Sequence, residues 1–589
     1  MSPSSANLTL FCCLVGSSFP FLVDISGSLT VCHLKYMIKQ KKPIDLKDFD
    51  ADSPSLYNVS IPDEGDIAQK IVDAVKASQP LRVTMELIEI FPDGPPGRTI
   101  HIAVKLPDVA RISHYSPKPR EAIAKSAANR PTPSVGAITS NLRKTQTSEQ
   151  LDALYNNRPL QLSGPPITIY HPAFTRFDNT LAIPLDTVDF THEELDNALN
   201  FIQAANEYYL DETSRRNAYQ ECGLETALKR GVVDRTTVYY NGDREMSPGG
   251  HTNVYCPLNN CSAISCFTEV NNEIGEGTDP LAHAECCYVS LVTSNEYLPV
   301  RESSCCPAFL IGMPGPYLIV SGAVYADHLI SQRLTDYVYL GPISTRFNLA
   351  QKTRQVAHIL RALKEGLHEL EHFYGNLKPQ PRFNPSCFPP HFDSFSDGKY
   401  SFQIRYIERL ASGWSEKAIF KAELRNNTSN RTSIVVVKFA ISYCKEAHKL
   451  LASKGLAPAL WYCQQVDAVG MWVVVMDWVE GNYVDVPIKD TNIAQSLRSA
   501  MDMLHAKDLV FGDLRAPNVL VNPQKNTVML IDFDWCGAVG IARYPPHIML
   551  IPDYKWHKGV KRGGEIQKVH DKHMLEVLIG EDLGEAIAY

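Results

Sequence analysis

Between Leu509 and Trp535 the chain reads LVFGDLRAPNVLVNPQKNTVMLIDFDW. Asp513 and Asn518 stand five positions apart on a loop, and Pro517 fixes its turn. Asp532 follows after two short apolar, strand-like runs. Three oxygen-bearing side chains on loops beside short strands suit a magnesium ion shared with a phosphate, because magnesium takes carboxylate and amide oxygens plus those of its substrate. Upstream, Lys438 interrupts the apolar run VVVKFA. A lysine among buried strand residues must meet an anion or bear a heavy desolvation cost. Glu446, eight residues on, falls in the helix-like YCKEAHKLLASKG and could hold the ammonium toward a phosphate. Taken singly, the plainer readings are a strand-edge lysine and a solvated glutamate.

These residues need elements to position them. FQIRYIERL, KAIFKAEL and SIVVVKFA read as three strands, with RNNTSNRT as the polar tip between the last two. WVVVMDWVEG reads as a further strand ending in an apparent hinge at Gly481. NIAQSLRSAMDMLHAKDL reads as a helix with Ile493, Leu497, Met501 and Leu504 on one face. This order of parts, with D-L-R-x-x-N and I-D-F, resembles the protein-kinase fold. The resemblance implies ATP and Mg2+ as cofactors and carries roles with it. Lys438 would hold the α- and β-phosphates and Glu446 would orient it. Asp513 would accept the proton of the acceptor hydroxyl, Arg515 would steady the transferred group, and Asn518 and Asp532 would hold the metal.

There are departures from that pattern. Gly413 is what remains of a glycine-rich loop in LASGWSEKAIF. Phe511 and Gly512 stand where kinases have His-Arg, and Asp534 stands where they have glycine. No Ala-Pro-Glu element follows. HDKHMLEVLIG, with Asp571 at its start, is expected to be the one large helix of a shortened C-lobe.

At 589 residues, 44% hydrophobic and 21% charged, the chain has room for several globular domains. A net charge of −8 argues against broad non-specific nucleic-acid binding. The fifteen cysteines include three adjacent pairs, which read as buried free thiols of a reducing compartment. Cys256, Cys261 and Cys266, with His251 nearby, lack the spacing of common zinc sites and read as core packing. No run is long and apolar enough to span a bilayer. LTLFCCLVG has the length of a signal h-region but no basic stretch before it, so it is expected to be a strand of a hairpin rather than a signal peptide.

Residues 1–107 show strand–strand–helix–strand–helix–strand patterning, expected to form a ubiquitin-like β-grasp. LTLFCCLVG, FPFLVDI, VCHLKYMIKQKK, DFDADSPSLYNVSIP and RTIHIAVKLP follow one another in the order of the Crinkler effector header, which this segment resembles, on the fungal side of that family. The resemblance implies a secreted protein whose header aids delivery and whose C-terminal part acts in a host cell, the nucleus included. A protein-interaction module is the plainer alternative. Residues 108–158 are expected to be a flexible, basic, Pro/Ser-rich linker, and 159–398 a central mixed α/β domain ending in a helical and Pro-rich connector. Residues 399–589 are then the kinase-like domain, bilobal with a shortened C-lobe.

In the central domain, FTEVNNEIG places Glu269 and Glu273 near a strand end. This is similar to the E-x-K half of restriction-endonuclease-like domains, with Asn271 where the lysine would be, so a degenerate nuclease-like scaffold is expected. Paired carboxylates could still hold a metal. The function expected is a multidomain α+β Crinkler-like effector that phosphorylates a serine or threonine of a host protein or of itself. The alternatives are a pseudokinase used for interaction, or a metal-dependent nuclease regulated by the kinase-like part; nucleic acid as a partner has no support from composition.

Overall fold

The computed structural model describes residues 7–15, 20–42, 54–62, 67–82, 85–92, 94–105, 119–242, 244–258, 261–345, 347–379, 388–410, 416–522, 526–551 and 554–580. The protein is multidomain and mixed α/β, and it divides into two compact units, Met1–Pro117 and Lys118–Tyr589.

In the first unit, strand Asn7–Leu14 pairs antiparallel with Phe21–Ser26 and parallel with the last strand, Thr99–Lys105. Strand Ser55–Pro62 closes the other side of Thr99–Lys105, antiparallel. Successive strand residues face opposite sides, and both sides are covered here. Leu8, Leu10 and Cys12 pack with Val31, Leu34 and Ile38 of helix Val31–Lys41. Cys13 packs instead with Tyr57, Ile100 and Ile71, the last from helix Ile67–Ala77. A sheet covered on both faces needs a near-continuous apolar strand. That explains why LTLFCCLVG resembles an h-region, and why two adjacent cysteines are both buried.

The second unit begins earlier than the sequence suggests. The expected linker, 108–158, is folded wherever it is described, so that expectation is corrected. Helix Pro119–Ala127 buries Ile123, Ala124 and Ala127. Arg120 is itself buried, donates to Ser304 O and Tyr325 O at 3.2 and 2.9 Å, and lies 4.6 Å from the Tyr325 ring centroid. Strand Leu154–Tyr155 joins the edge of the central sheet. Composition misled because alanines, rather than large apolar residues, form the buried helix face, and because the arginines are satisfied by carbonyls and by Asp152.

The central sheet runs, in spatial order, Leu154–Tyr155, Leu329–Arg333, Tyr317–Tyr325, Ala308–Pro314, Cys261–Asn271 and Gly250–Cys256. Cys261–Asn271 and Ala308–Pro314 are parallel, joined through helix Pro280–Val292. All seven residues of Ala308–Pro314 are buried, because helices cover both faces. The 27-residue helix Leu349–Gly375 lies so close to one face that a Cβ on Gly366 would sit 2.5 Å from Phe309 Cζ. Helix Pro280–Val292 covers the other face at Gly312.

A second sheet follows, all antiparallel, ordered Ser394–Ser396, Ser401–Arg409, Ala418–Asn426, Thr432–Ala440, Met471–Asp477, Leu460–Val466. One face, carrying Phe402, Phe420, Val435, Val437 and Phe439, shares a single hydrophobic core with the central sheet and its helices. The expected boundary at 398/399 therefore crosses a continuous core. The buried ion pair Arg409 Nε–Asp327 Oδ2 (2.7 Å) crosses it too. The opposite face carries Val436 and Lys438 and looks onto a separate core, formed by helix Lys445–Ala452, helix Thr491–His505, the strand pair Val519–Asn522 and Thr527–Leu530, and helix Lys568–Ile579.

Candidate functional site

Strand alternation decides where Lys438 points. Val437 and Phe439 are committed to the shared core, so Val436 and Lys438 face the gap between the second sheet and the last core. The strand is paired on both sides, with Ala418–Asn426 and Met471–Asp477, so Lys438 is not at an edge. Lys438, Asn518 and Asp532 line one cavity of about 530 Å³. Ile419, Val436 and Met476 form part of its wall, Leu520 and Ile531 another part, and Trp478–Gly481 border it. A cavity of this size with apolar walls and few polar groups is what a small ligand needs.

The charges are arranged around Asp532. Lys438 Nζ donates to Asp532 Oδ1 at 2.6 Å, and Lys417 Nζ to Oδ2 at 3.2 Å. Asp534 Oδ1 also lies 2.6 Å from Lys438 Nζ, a close charge contact without good hydrogen-bond alignment. Burial would raise the Asp532 carboxyl, but Lys438 and then Lys417 overcome it and hold it well below the usual range. Burial pushes Asp534 up to about 7, with the adjacent Asp532 charge adding to it against Lys438. Burial works against the Lys438 ammonium, and Asp532 and Asp534 more than offset it, so the lysine stays charged. Asp532 has a left-handed backbone, φ 69°, the kind of strain that collects at functional sites.

The residues of the Phe511–Asn518 loop are pinned from below. Asp571, buried at the start of Lys568–Ile579, accepts from Phe511 N and Gly512 N, both at 2.8 Å. Gly512 has φ 82°, and a Cβ there would lie 2.8 Å from Ile566 Cδ1, which is why glycine stands at this position. Asn518 Nδ2 donates to Asp513 O at 2.9 Å, which leaves its amide oxygen as the remaining acceptor. Arg515 holds both Asp513 oxygens, Nε to Oδ1 at 2.5 Å and Nη2 to Oδ2 at 2.9 Å. Its guanidinium is boxed by Tyr554, Trp556 and Trp535 at 4.8, 5.7 and 5.8 Å from their ring centroids.

One expected residue falls elsewhere. Glu446 does not pair with Lys438. It is exposed on the first turn of Lys445–Ala452, whose buried face is Ala447, His448 and Leu451. Cys444 N donates to Phe533 O, which fixes the start of that helix, and Tyr443 and His448 fill the space behind the lysine. The carboxylate expected of Glu446 comes from Asp534 instead. In the sequence Asp534 counted only as a lost glycine, although a buried lysine without a helix partner asks for a second acid. Lys417 was also missed; its place at the start of a strand facing the cavity was its only signal. Gly413 lies outside the described residues.

In the central body, Glu269 and Glu273 do not act as a pair. Glu269 is buried and accepts from Gly249 N at 3.0 Å. Glu273, beyond the strand end, is held by Arg215 Nη2 at 2.9 Å. Asn271 Nδ2 braces the following loop through Glu276 O and Thr278 O.

Comparison with known proteins bears on the first unit. Residues 8–105 match the model of the Crinkler effector protein N-terminal domain. The first unit is thus similar to a Crinkler N-terminal domain. Crinkler effector protein 1 of Rhizophagus irregularis is 32% identical over 124 residues, which cover 21% of this chain and 26% of that relative. The chain thus spans about a quarter of the length of the curated relative it matches. Among solved structures, the chain is similar to the Cydia pomonella granulovirus kinase PK-1, at 15% identity and a TM-score of 0.24, covering 30% of this chain and 69% of that one. A score that low carries no argument, so any role for the Lys438 cavity must rest on its own geometry.

Proposed function

We propose that this protein is a Crinkler-like effector whose C-terminal part binds ATP with magnesium and transfers the γ-phosphoryl group to a hydroxyl of a host protein or of itself. The observation that carries this reading is the convergence of Lys438, Asn518 and Asp532 on one apolar-walled cavity, with the main-chain carbonyl of Asp513, which does not line it, held by Asn518. A kinase-like fold for 399–580 is supported by the strand order, by a single helix between the third and fourth strands, and by Asp571 holding the catalytic loop from a later helix. The residues fit a magnesium–nucleotide: one buried ammonium, one carboxylate kept ionised, and one amide oxygen still able to accept. Asn518 and Asp532 would hold the ion, and magnesium when bound neutralises developing phosphate charge. Lys438 positions the phosphates. Asp513 takes the acceptor proton, and Arg515, clamped among aromatics, sets the orientation of its carboxylate. Delivery into a host cell, with a ubiquitin-like fold for the Crinkler domain, belongs to the same reading.

One observation favours a second reading, nucleotide binding without transfer. Both Asp513 oxygens are taken by Arg515, and Lys438 is already engaged by Asp532 and Asp534. Incubating the full chain with γ-labelled ATP and magnesium separates the two. The transferase reading expects label in the protein that falls by about a hundredfold or more in Asp513→Ala. Equal incorporation in wild type and variant, alongside ATP binding that needs Lys438, would leave only the binding protein. The nuclease alternative gains nothing here, because Glu273 is committed to Arg215 and does not share a site with Glu269.

A further inference from the structure

Glu269 is an anomaly in the central body. Its carboxylate is buried, yet its partners among the described residues are one amide (Gly249 N), one imidazole (His283) and one thiol (Cys287), with no lysine or arginine. Buried carboxylates are normally paired with a cation or bound to a metal. His283 Nδ1 lies 3.2 Å from Glu269 Oε2, and Cys287 Sγ lies 3.6 Å from Oε1. The three ligand atoms all fall within 4.8 Å of one another.

The backbone explains why they meet. Glu269 sits on Cys261–Asn271 opposite Gly312 of the parallel strand, and helix Pro280–Val292 crosses over that point. His283 and Cys287 are four apart on this helix, so they share its sheet-facing side. The spacing suits a tetrahedral divalent ion. Bonds of about 2.0 Å to nitrogen and oxygen and about 2.3 Å to sulfur, in a tetrahedron, give ligand edges of about 3.3 Å for N–O and about 3.5 Å for S–O. The observed 3.2 and 3.6 Å are close to those lengths but run to the two different carboxylate oxygens, so a small turn of the Glu269 carboxylate brings one oxygen to the ion.

We propose that Glu269, His283 and Cys287 bind a zinc-class divalent ion, with water as the fourth ligand on the side of His283, whose side chain is 19% exposed. Thiolate and imidazole together exclude calcium and magnesium, which take oxygen ligands. A cysteine nucleophile is the competing use of such a trio, but Cys287 is fully buried, which closes its sulfur to a substrate. Metal binding forms an S–metal bond and releases the thiol proton to solvent.

The test uses the full chain, stripped with a chelator and titrated with cobalt(II) alone. The expected result is a thiolate-to-cobalt charge-transfer band in the near ultraviolet that saturates at one equivalent. It disappears in Cys287→Ser and persists in Glu273→Gln. His283→Gln, a change at a partly exposed side chain, keeps the fold and weakens cobalt binding by about tenfold or more. That variant keeps the proposal testable should Cys287→Ser fail to fold. Absence of the band, its survival in Cys287→Ser, or unchanged affinity in His283→Gln overturns the site. None of these outcomes bears on ATP, so the two proposals stand or fall separately.

Discussion

Lys438 sits between two acids, and that arrangement makes opposite forecasts for two carboxylates. Asp534 competes with incoming phosphates for the ammonium. Replacing it with asparagine keeps the shape and removes a charge interaction of about 1 kcal/mol, so the Kd for ATP should fall by about fivefold in calorimetric titration. Glu446→Ala should leave that Kd unchanged, since Glu446 is exposed and away from the lysine. A large loss in Glu446→Ala would mean that the helix turns inward when nucleotide binds. His448 makes a forecast in pH. Pro458 O can only accept from Nε2, so Nδ1 accepts from Tyr443 Oη, and the ring is neutral while it stacks 4.6 Å from Phe533. Burial lowers its pKa from 6.5 to about 4, the Pro458 carbonyl opposing and Lys438 assisting. A histidine depressed in the folded state contributes stability that is complete above pH 6.5 and is lost as pH falls toward 4. Its share of the slope is at most about 1.4 kcal/mol per pH unit. Urea midpoints of His448→Gln should therefore fall less between those limits than wild-type midpoints do.

Helix Lys568–Ile579 meets the Asp513 loop, among the described residues, through the backbone of Phe511 and Gly512. Asp571→Ala should strand two buried amides, cost about 1–3 kcal/mol per group, and lower phosphate incorporation more than it lowers ATP affinity. A shift in ATP affinity of the same size would mean that the helix supports the cavity and not the loop. Elements with one strong period were legible in the sequence: the VVVKFA strand, the Ile493–Leu504 face, and the Val31–Leu34–Ile38 face all appear where periodicity places them, with Ile38 rather than Met37 fully buried. That Lys438 needs an acid was legible, because a buried ammonium must find one, but the acid expected was Glu446 and the structure supplies Asp532 and Asp534. What escaped depends on partners far apart in the chain. Arg120 finds its acceptors at Ser304 and Tyr325, and Glu269 finds His283 and Cys287 across a parallel crossover. The helix Pro119–Ala127 escaped because alanine carries little hydrophobic signal. Strand Leu460–Val466 escaped because half of its residues face solvent.

Across the whole molecule, the second sheet owes as much to the central body as to the last core. A fragment beginning at Lys399 would expose Phe402, Phe420, Val435, Val437 and Phe439, each worth about 1.5–3 kcal/mol when buried. It would also leave Arg409 without Asp327. That fragment should be insoluble or melt without cooperativity, whereas residues 118–589 should show one sharp transition close to that of the full chain. Scanning calorimetry distinguishes these outcomes, and a cooperative fragment from Lys399 would contradict the shared core. No helix among the described residues is long and apolar enough to cross a membrane.

The fusion of those two sheets also decides which part can travel. If the cavity must gape to admit a ligand, the roof carrying Lys438 is bolted to a heavy mount, and the lighter body below it has to swing. The chain passes between the two cores at Trp478–Gly481, on the border of the cavity, and on either side of helix Lys445–Ala452, so a swing would have to bend all three crossings.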